Sequence, residues 1–349
     1  MAEGKRMEWL DAMRGFTMIL VVSYHVAQFS FLQSEKESAS LPFLVLFRMP
    51  LFFFVSGFLA YKSRFVWTAE SFFSLTWKKI KIQVLPAFVF LCLFLIFRKN
   101  GDFFYTLIAS LKSPTKSGYW FTWVLLQMFI VYYLVASFAQ KMKSHIPIII
   151  LWLLALGMYA SLYMPIEFGK YWKTHFLMYS SIFETMKFFH FFLLGNIVHR
   201  YWDKVQKLFD SSWFFPLVVT IAVSCCTDIF RSHIMTGELT NLPRTLAMYS
   251  LMLIVIMFFR YYKDSFTHDK VIGWGLQYIG VRTLDIYLLH FILLPKIPQV
   301  GAYLDANSPN FVLDIALAVP IALVVILFCC ITSNILRVSP VFKKYLFGR

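Results

Sequence analysis

The sequence predicts an all-α integral membrane protein with about ten transmembrane helices and both termini in the cytoplasm. Of its 349 residues, 59% are hydrophobic and only 15% are charged, whereas about a quarter of the residues of a soluble domain are charged. The apolar residues fall in runs long enough to cross a bilayer, which takes about 20 residues per helix. Lys and Arg are more frequent in the loops that this topology places in the cytoplasm, in agreement with the positive-inside rule.

Ten apolar runs carry the predicted spans. They lie at residues 14–32, 43–61, 82–97, 120–139, 146–163, 176–198, 212–230, 243–260, 277–295 and 311–336. Ten such helices with short loops use the whole chain, so we expect residues 1–349 to form a single polytopic domain. The loop at residues 62–81 mixes basic and aromatic residues, which is typical of an amphipathic helix on the cytoplasmic leaflet.

The first predicted helix carries ionisable residues on one face. Arg14 and His25 are 11 residues apart, and at about 100° per residue this spacing returns them to within roughly 20° of the same face. Asp11 lies one turn before Arg14 and is placed to hold its guanidinium. Because ionisable groups are costly to expose to lipid, we expect this face to meet protein or water. Taken alone, Arg14 also fits an arginine that reaches the head groups, and His25 fits a structural contact between helices equally well.

The second and sixth spans also contain charged residues. Arg48 lies in the outer half of the second span, close enough to the surface to reach the head groups. Glu184, Lys187 and His190 follow one another at i, i+3 spacing in the sixth span. This stripe is either an internally neutralised structural feature or the wall of a polar cavity.

The ninth span contains the second histidine that we place near the middle of the membrane, His290. Arg282 and Asp285 are i, i+3 neighbours in the same span, and we expect them to pair. An imidazole that titrates near neutral pH suits general-base catalysis on a hydroxyl group.

Several classes of function find no support in the sequence. The net charge of +15 comes from short basic clusters between apolar runs, which favour anionic lipid head groups over nucleic acid. No HExxH, GxSxG or Walker motif is present, so we expect no metal site. The five cysteines lie in apolar runs without CxxC spacing, and we interpret them as small apolar residues.

Five segments give the chain a resemblance to a known family. They are WLDAMRGFTMILVVSYH, FRMPLFFFVSGFL, YWFTWVLL, FFLLGN and LDIYLLH. In this order they are similar to the signatures of the membrane-bound acyltransferase-3 family, and Arg14 and His25 match its arginine–ten residues–histidine signature. The resemblance extends over most of the chain and implies that family's ten-helix fold.

The resemblance also implies an activity. It suggests an O-acyltransferase of the inner (plasma) membrane that moves an acyl group, usually acetyl, from acyl-CoA to a hydroxyl of a cell-surface polysaccharide or lipid-linked saccharide. His25 would act as base or as transient acyl carrier, and Arg14 would orient the CoA phosphates or the thioester. His290 and Arg48 match motif positions whose role is less certain.

Charge complementarity adds residues to the predicted site. Because CoA carries several phosphates, we expect cations of the inner face to bind it together with Arg14. The expected cofactor-binding residues are Arg14, Arg48, Lys78 and Lys79, and the expected polar lining is Asp11, Glu184, Lys187, His190, Asp285 and His290.

Two other functions remain open. The chain could be a transporter or flippase of a saccharide or lipid-linked sugar, in which the same charged face binds substrate and no covalent bond changes. It could also be a non-catalytic partner of polysaccharide-assembly proteins. Consumption of acyl-CoA by the purified protein separates the enzyme from both alternatives.

Overall fold

A computed structural model describes residues 7–35, 38–98, 101–162, 175–231, 241–307 and 310–347, and their regular structure is entirely helical. The helices are α1 (Glu8–His25), α2 (Ser40–Ala60), α3 (Ala69–Lys79), α4 (Leu85–Arg98), α5 (Phe103–Lys112), α6 (Trp120–Lys141), α7 (Ile146–Ser161), α8 (His175–Tyr179), α9 (Ile182–Arg200), α10 (Trp202–Phe209), α11 (Phe214–Arg231), α12 (Asn241–Tyr261), α13 (Val271–Val281), α14 (Thr283–Leu293), α15 (Pro298–Ala306), α16 (Phe311–Leu336) and α17 (Pro340–Phe347). Short π-helical turns at Val26–Ser30 and Ile80–Val84 extend α1 and join α3 to α4.

Several of these helices are long and apolar enough to cross a membrane. Among the described residues five qualify, namely Ser40–Ala60, Ala69–Arg98, Trp120–Lys141, Leu242–Tyr261 and Phe311–Leu336. A sixth is added if α10 and the first part of α11, which meet at 77°, form one broken span. The all-α membrane fold is thus confirmed, whereas the number ten and the cytoplasmic termini stay predictions.

The helix around residues 69–98 differs from the sequence expectation. We expected a surface helix followed by a separate span at 82–97, but the structure has one helix of 30 residues, Ala69–Arg98. Thr68 and Ser71 start it with a reciprocal capping box, which satisfies backbone N–H groups of the first turn. The π turn at Ile80–Val84 precedes Pro86, whose missing N–H would otherwise interrupt the helix.

The predicted ninth span, residues 277–295, is also corrected by the structure. Two short helices, α13 and α14, occupy this region and part of the preceding loop, and they meet at Arg282, which has non-helical dihedrals (φ −104°, ψ 11°). The Cζ atom of Arg282 lies 3.7 Å from the ring centroid of Tyr278 in α13. At this break the guanidinium of Arg282 stacks on the ring of Tyr278.

By its internal contacts the chain divides into two compact units, and our expectation of a single domain stays a prediction. The first unit comprises residues 1–52 and 204–333, and the second comprises residues 53–203 and 334–349. In the first unit α1 packs along α13 and α12. A Cβ atom on Gly280 would collide with the carbonyl oxygen of Asp11, and one on Gly15 would collide with that of Leu276. Glycine at these positions therefore permits the close approach of α1 and α13.

The second unit is organised around α9, which packs on α7 and α6. Aromatic side chains fill its interior. For example, the ring of Phe53 stacks on Phe188 with centroids 5.1 Å apart, and Trp120 stacks on Phe188 at 5.8 Å. Such ring contacts add to the stabilisation that burial of the aromatic side chains provides.

Candidate functional site

Arg14 is held in place on α1 by two polar contacts of the first unit. Its Nη1 donates to Asp11 Oδ1 at 3.0 Å, and its Nη2 donates to Thr283 Oγ1, at the start of α14, at 3.1 Å. The predicted i, i+3 contact between Asp11 and Arg14 is therefore confirmed. The side chain of Arg14 is 26% exposed. A guanidinium that is oriented from one side and open on another can still bind an anion.

His25 and His290 are in direct contact, although 265 residues separate them in the chain. Nδ1 of His25 lies 2.9 Å from Nε2 of His290, and the two rings are nearly parallel, at 15°. His290 is fully buried, whereas His25 is partly exposed. The contact brings the two histidines of the predicted first and ninth spans into one site.

Hydrogen bonds to the backbone fix the protons of this histidine pair. Nδ1 of His290 lies 3.0 Å from the carbonyl oxygen of Ile286 and 2.8 Å from that of Tyr287. A carbonyl oxygen only accepts, so Nδ1 of His290 carries the proton and its Nε2 is an acceptor when each ring holds one proton. Nδ1 of His25 must then be the donor to His290. The lone pair of His25 is consequently on Nε2, the nitrogen that can act as a base.

The chain changes helical geometry at His25. This residue ends α1, and the π-helical turn Val26–Ser30 follows it directly. Turns of this type are frequent at functional sites because they widen the backbone and redirect side chains. Aromatic rings surround the imidazole, with Phe291 at 4.8 Å, Tyr24 at 5.6 Å and Phe29 at 5.8 Å between centroids.

Arg48 forms a second polar cluster next to the histidine pair along α1. Its Cζ lies 3.6 Å from the ring centroid of Tyr24, the neighbour of His25 in the chain. The hydroxyl of Tyr24 donates to Glu35 Oε1 at 3.1 Å. Arg48 is only 9% exposed, and its Nε is buried without a hydrogen-bond partner among the described residues. The cluster thus combines a cation, an aromatic face and an exposed carboxylate, which are groups suited to polar ligands.

The site places a cation, Arg14, and a candidate base, His25, at different points along α1. Arg14 and His25 lie about 16 Å apart along the axis of α1, given a rise of about 1.5 Å per residue. Asp285 lies five residues before His290 on α14, is 6% exposed and accepts a hydrogen bond from Ser333 Oγ at 2.6 Å. The first unit therefore brings together six of the residues that we expected from the sequence. They are Asp11, Arg14, His25, Arg48, Asp285 and His290.

The other expected residues belong to the second unit. Glu184 and Lys187, at i, i+3 spacing, form an ion pair at 3.1 Å, as in the internally neutralised alternative for this stripe. His190 is fully buried, with its ring centroid 4.6 Å from that of Tyr159. Two of the expected cofactor-binding residues, Lys78 and Lys79, also belong to the second unit. Lys78 is exposed, and the Nζ of Lys79 lies 3.8 Å from the ring centroid of Phe129.

Sequence reasoning missed three residues of the first-unit site. Thr283 holds Arg14, and Tyr24 and Glu35 complete the cluster around Arg48. The position of Tyr24 next to His25 is the one signal that was open to sequence reasoning. Within the described part of the chain, no three His, Cys, Asp or Glu side chains are grouped so that they could hold a metal ion.

Comparison with known proteins identifies a family. The family model described as "Acyltransferase domain" matches residues 7–334. This match includes both ends of the site, from Asp11 on α1 to Ser333 on α16. No curated protein and no solved structure matches the chain.

Proposed function

This chain belongs to the membrane acyltransferase-3 family, and we propose that it transfers an acetyl group from acetyl-CoA to a hydroxyl of a cell-surface polysaccharide or lipid-linked saccharide. The contact between His25 and His290 carries the proposal, because it leaves Nε2 of His25 as the available base. We place the protein in the inner membrane, where a cytoplasmic donor and an envelope acceptor can both reach it.

The proposed reaction begins with removal of a proton from the acceptor hydroxyl by His25 Nε2. The hydroxyl oxygen attacks the thioester carbonyl carbon, a tetrahedral intermediate forms, and the carbon–sulfur bond breaks. The thiolate of CoA leaves and takes the proton from His25, which yields free CoA and the O-acetyl ester. In the alternative two-step route, Nε2 of His25 attacks the thioester carbon and the CoA thiolate leaves. The acceptor hydroxyl then displaces the acetyl group from His25, and its proton passes to the thiolate.

His290 stabilises the charged form of His25 in this mechanism. When His25 becomes an imidazolium, its Nδ1–H continues to donate to Nε2 of His290. A partner that orients a catalytic imidazole and stabilises its charge has the role that a carboxylate has in hydrolase triads. A neutral imidazole fulfils this role in a site lined by phenylalanine, where a permanent negative charge would be costly.

Arg14 is the proposed contact for the donor. Asp11 and Thr283 hold its guanidinium from one side, and a phosphate of CoA or the thioester oxygen would occupy the exposed side. The distance along α1 to His25 is spanned by the extended pantetheine arm. Lys78 and Lys79 remain proposed cytoplasmic contacts for the phosphates, and Arg48 remains a proposed contact for either substrate near His25.

Two measurements together test the proposal. Surface glycans of a strain that lacks the protein should lose an acetyl increment by mass spectrometry, and plasmid-borne wild type should restore it. In addition, the purified protein should release free CoA from acetyl-CoA when a saccharide acceptor is present. The acetyl increment could be lost in the strain while the purified protein releases no CoA. That result would favour the transporter or flippase and would contradict the enzymatic proposal.

A further inference from the structure

The second unit contains an apolar cavity beside a buried lysine. The cavity has a volume of about 240 Å³ and lies among α4, the end of α5 and the start of α6. Ala87 and Leu91 of α4, Leu111 of α5 and Trp123 of α6 form much of its wall. Such a lining suits a hydrocarbon chain.

Lys116 is the cation at this cavity. It is only 7% exposed, and its ammonium donates to the carbonyl oxygens of Leu111 and Tyr179, both at 2.8 Å. An ammonium group has three N–H donors, and the described residues accept hydrogen bonds from two of those of Lys116. Among the described residues no carboxylate forms an ion pair with Lys116. A buried charge without a counter-ion is costly, so the site favours an anion.

The backbone at Lys116 is held in an unusual conformation. Lys116 and Ser117 have φ values of 45° and 51°, and Gly118 follows at 100°. Successive non-glycine residues in the left-handed region carry conformational strain, which is found preferentially at ligand sites. Burial lowers the pKa of Lys116 from its ordinary value, because the charged form loses contact with water.

Thr122 supplies a second polar group at the cavity. Thr122 is 1% exposed, and its Oγ1 makes no hydrogen bond to any described residue. A buried hydroxyl that is left without a hydrogen-bond partner is destabilising. The cavity therefore offers one cationic and one neutral hydrogen-bond donor beside an apolar wall.

We propose that this cavity binds one anionic phospholipid, with the lipid phosphate on the ammonium of Lys116 and an acyl chain against Ala87, Leu91 and Trp123. The hydroxyl of Thr122 donates to an ester oxygen of the same lipid. This site is separate from the residues assigned to acyl transfer and does not depend on that assignment.

Native mass spectrometry of the full chain in detergent tests the site with phosphatidylglycerol as the probe. Lys116→Gln keeps donors for the two carbonyl groups but removes the charge, and Lys112→Gln removes an exposed charge from the same segment. We expect wild type and Lys112→Gln to retain one phosphatidylglycerol with equal affinity. In Lys116→Gln the affinity should fall about tenfold, which corresponds to about 1.4 kcal/mol. Equal binding by the two variants would overturn the proposal.

Further binding experiments distinguish a bound lipid from a bound small anion. Zwitterionic phosphatidylcholine should bind wild type more weakly than phosphatidylglycerol, and soluble glycerol phosphate should not displace the bound lipid. Ala87→Leu, which places a larger side chain in the cavity, should weaken phosphatidylglycerol binding as well. Displacement by glycerol phosphate at the concentration of the lipid would show a small-anion site and refute the lipid assignment.

Discussion

His290 acts on the reaction through His25, since its own ring is fully buried and its Nδ1 is bonded to the backbone. We predict that His290→Ala lowers kcat by about 100-fold or more, the range of general-base contributions, and leaves KM for acetyl-CoA unchanged. Steady-state release of CoA measures both constants. His290→Gln should recover part of kcat, because its amide oxygen can accept from Nδ1 of His25. Wild-type kcat in His290→Ala would contradict a positioning role.

Arg14 belongs to the donor end of α1. We predict that Arg14→Ala raises KM for acetyl-CoA by about tenfold or more, which is a loss of about 1.4 kcal/mol. Arg14→Lys should be intermediate, since an ammonium cannot reproduce the planar fork that contacts Asp11 and Thr283. Kinetics at varied acetyl-CoA and saturating acceptor test this. An unchanged KM in Arg14→Ala would remove Arg14 from the donor site.

Local contacts were predictable from the sequence, and distant ones were not. The pairs Asp11–Arg14 and Glu184–Lys187 follow from helical spacing, and both are present in the structure. The contact between His25 and His290 joins residues 265 positions apart. Periodicity within one helix gives no information on such pairs, because it does not show which helices are neighbours.

At the scale of elements, the close approach of α1 and α13 positions Arg14 near Thr283. We predict that Gly280→Ala lowers the free energy of unfolding by about 1–3 kcal/mol, as overpacking does, because a Cβ atom there collides with the Asp11 carbonyl. A Cβ atom on Gly275 in the same helix would meet no described neighbour within 4 Å, so Gly275→Ala should be neutral or stabilising by about 0.5–1 kcal/mol.

Circular dichroism of thermal unfolding in detergent compares the unfolding temperatures of the two glycine variants with that of wild type. Gly280→Ala should unfold at a lower temperature than wild type, whereas Gly275→Ala should not. Similar unfolding temperatures for the two variants would mean that the backbone approach of α1 and α13 does not limit stability.

The helices themselves were easier to predict than their interruptions. All ten apolar runs contain helix in the structure, and α16 has the predicted bounds, residues 311–336. The break at Arg282 lies inside an apolar run without glycine or proline at that residue. Its position depends on the packing of α13 against α1 and on the stacking of Arg282 on Tyr278. These are tertiary contacts, which override local propensity.

At the scale of the whole molecule, the topology remains a prediction that can be tested. An even number of spans places both termini on the same side, and the distribution of Lys and Arg favours the cytoplasm. We expect a reporter that is active only in the cytoplasm to be active when fused to either terminus. Activity at one terminus alone would require an odd number of spans.

The rate of acetyl transfer by purified His25→Ala protein tests the central claim most directly. His268→Ala is the matched control, because His268 is an exposed histidine of the same unit. We predict that His25→Ala loses transfer from acetyl-CoA to the saccharide acceptor by at least about 100-fold, and that His268→Ala keeps the wild-type rate. Transfer by His25→Ala at the wild-type rate would contradict the assignment of His25 as the base or the acyl carrier.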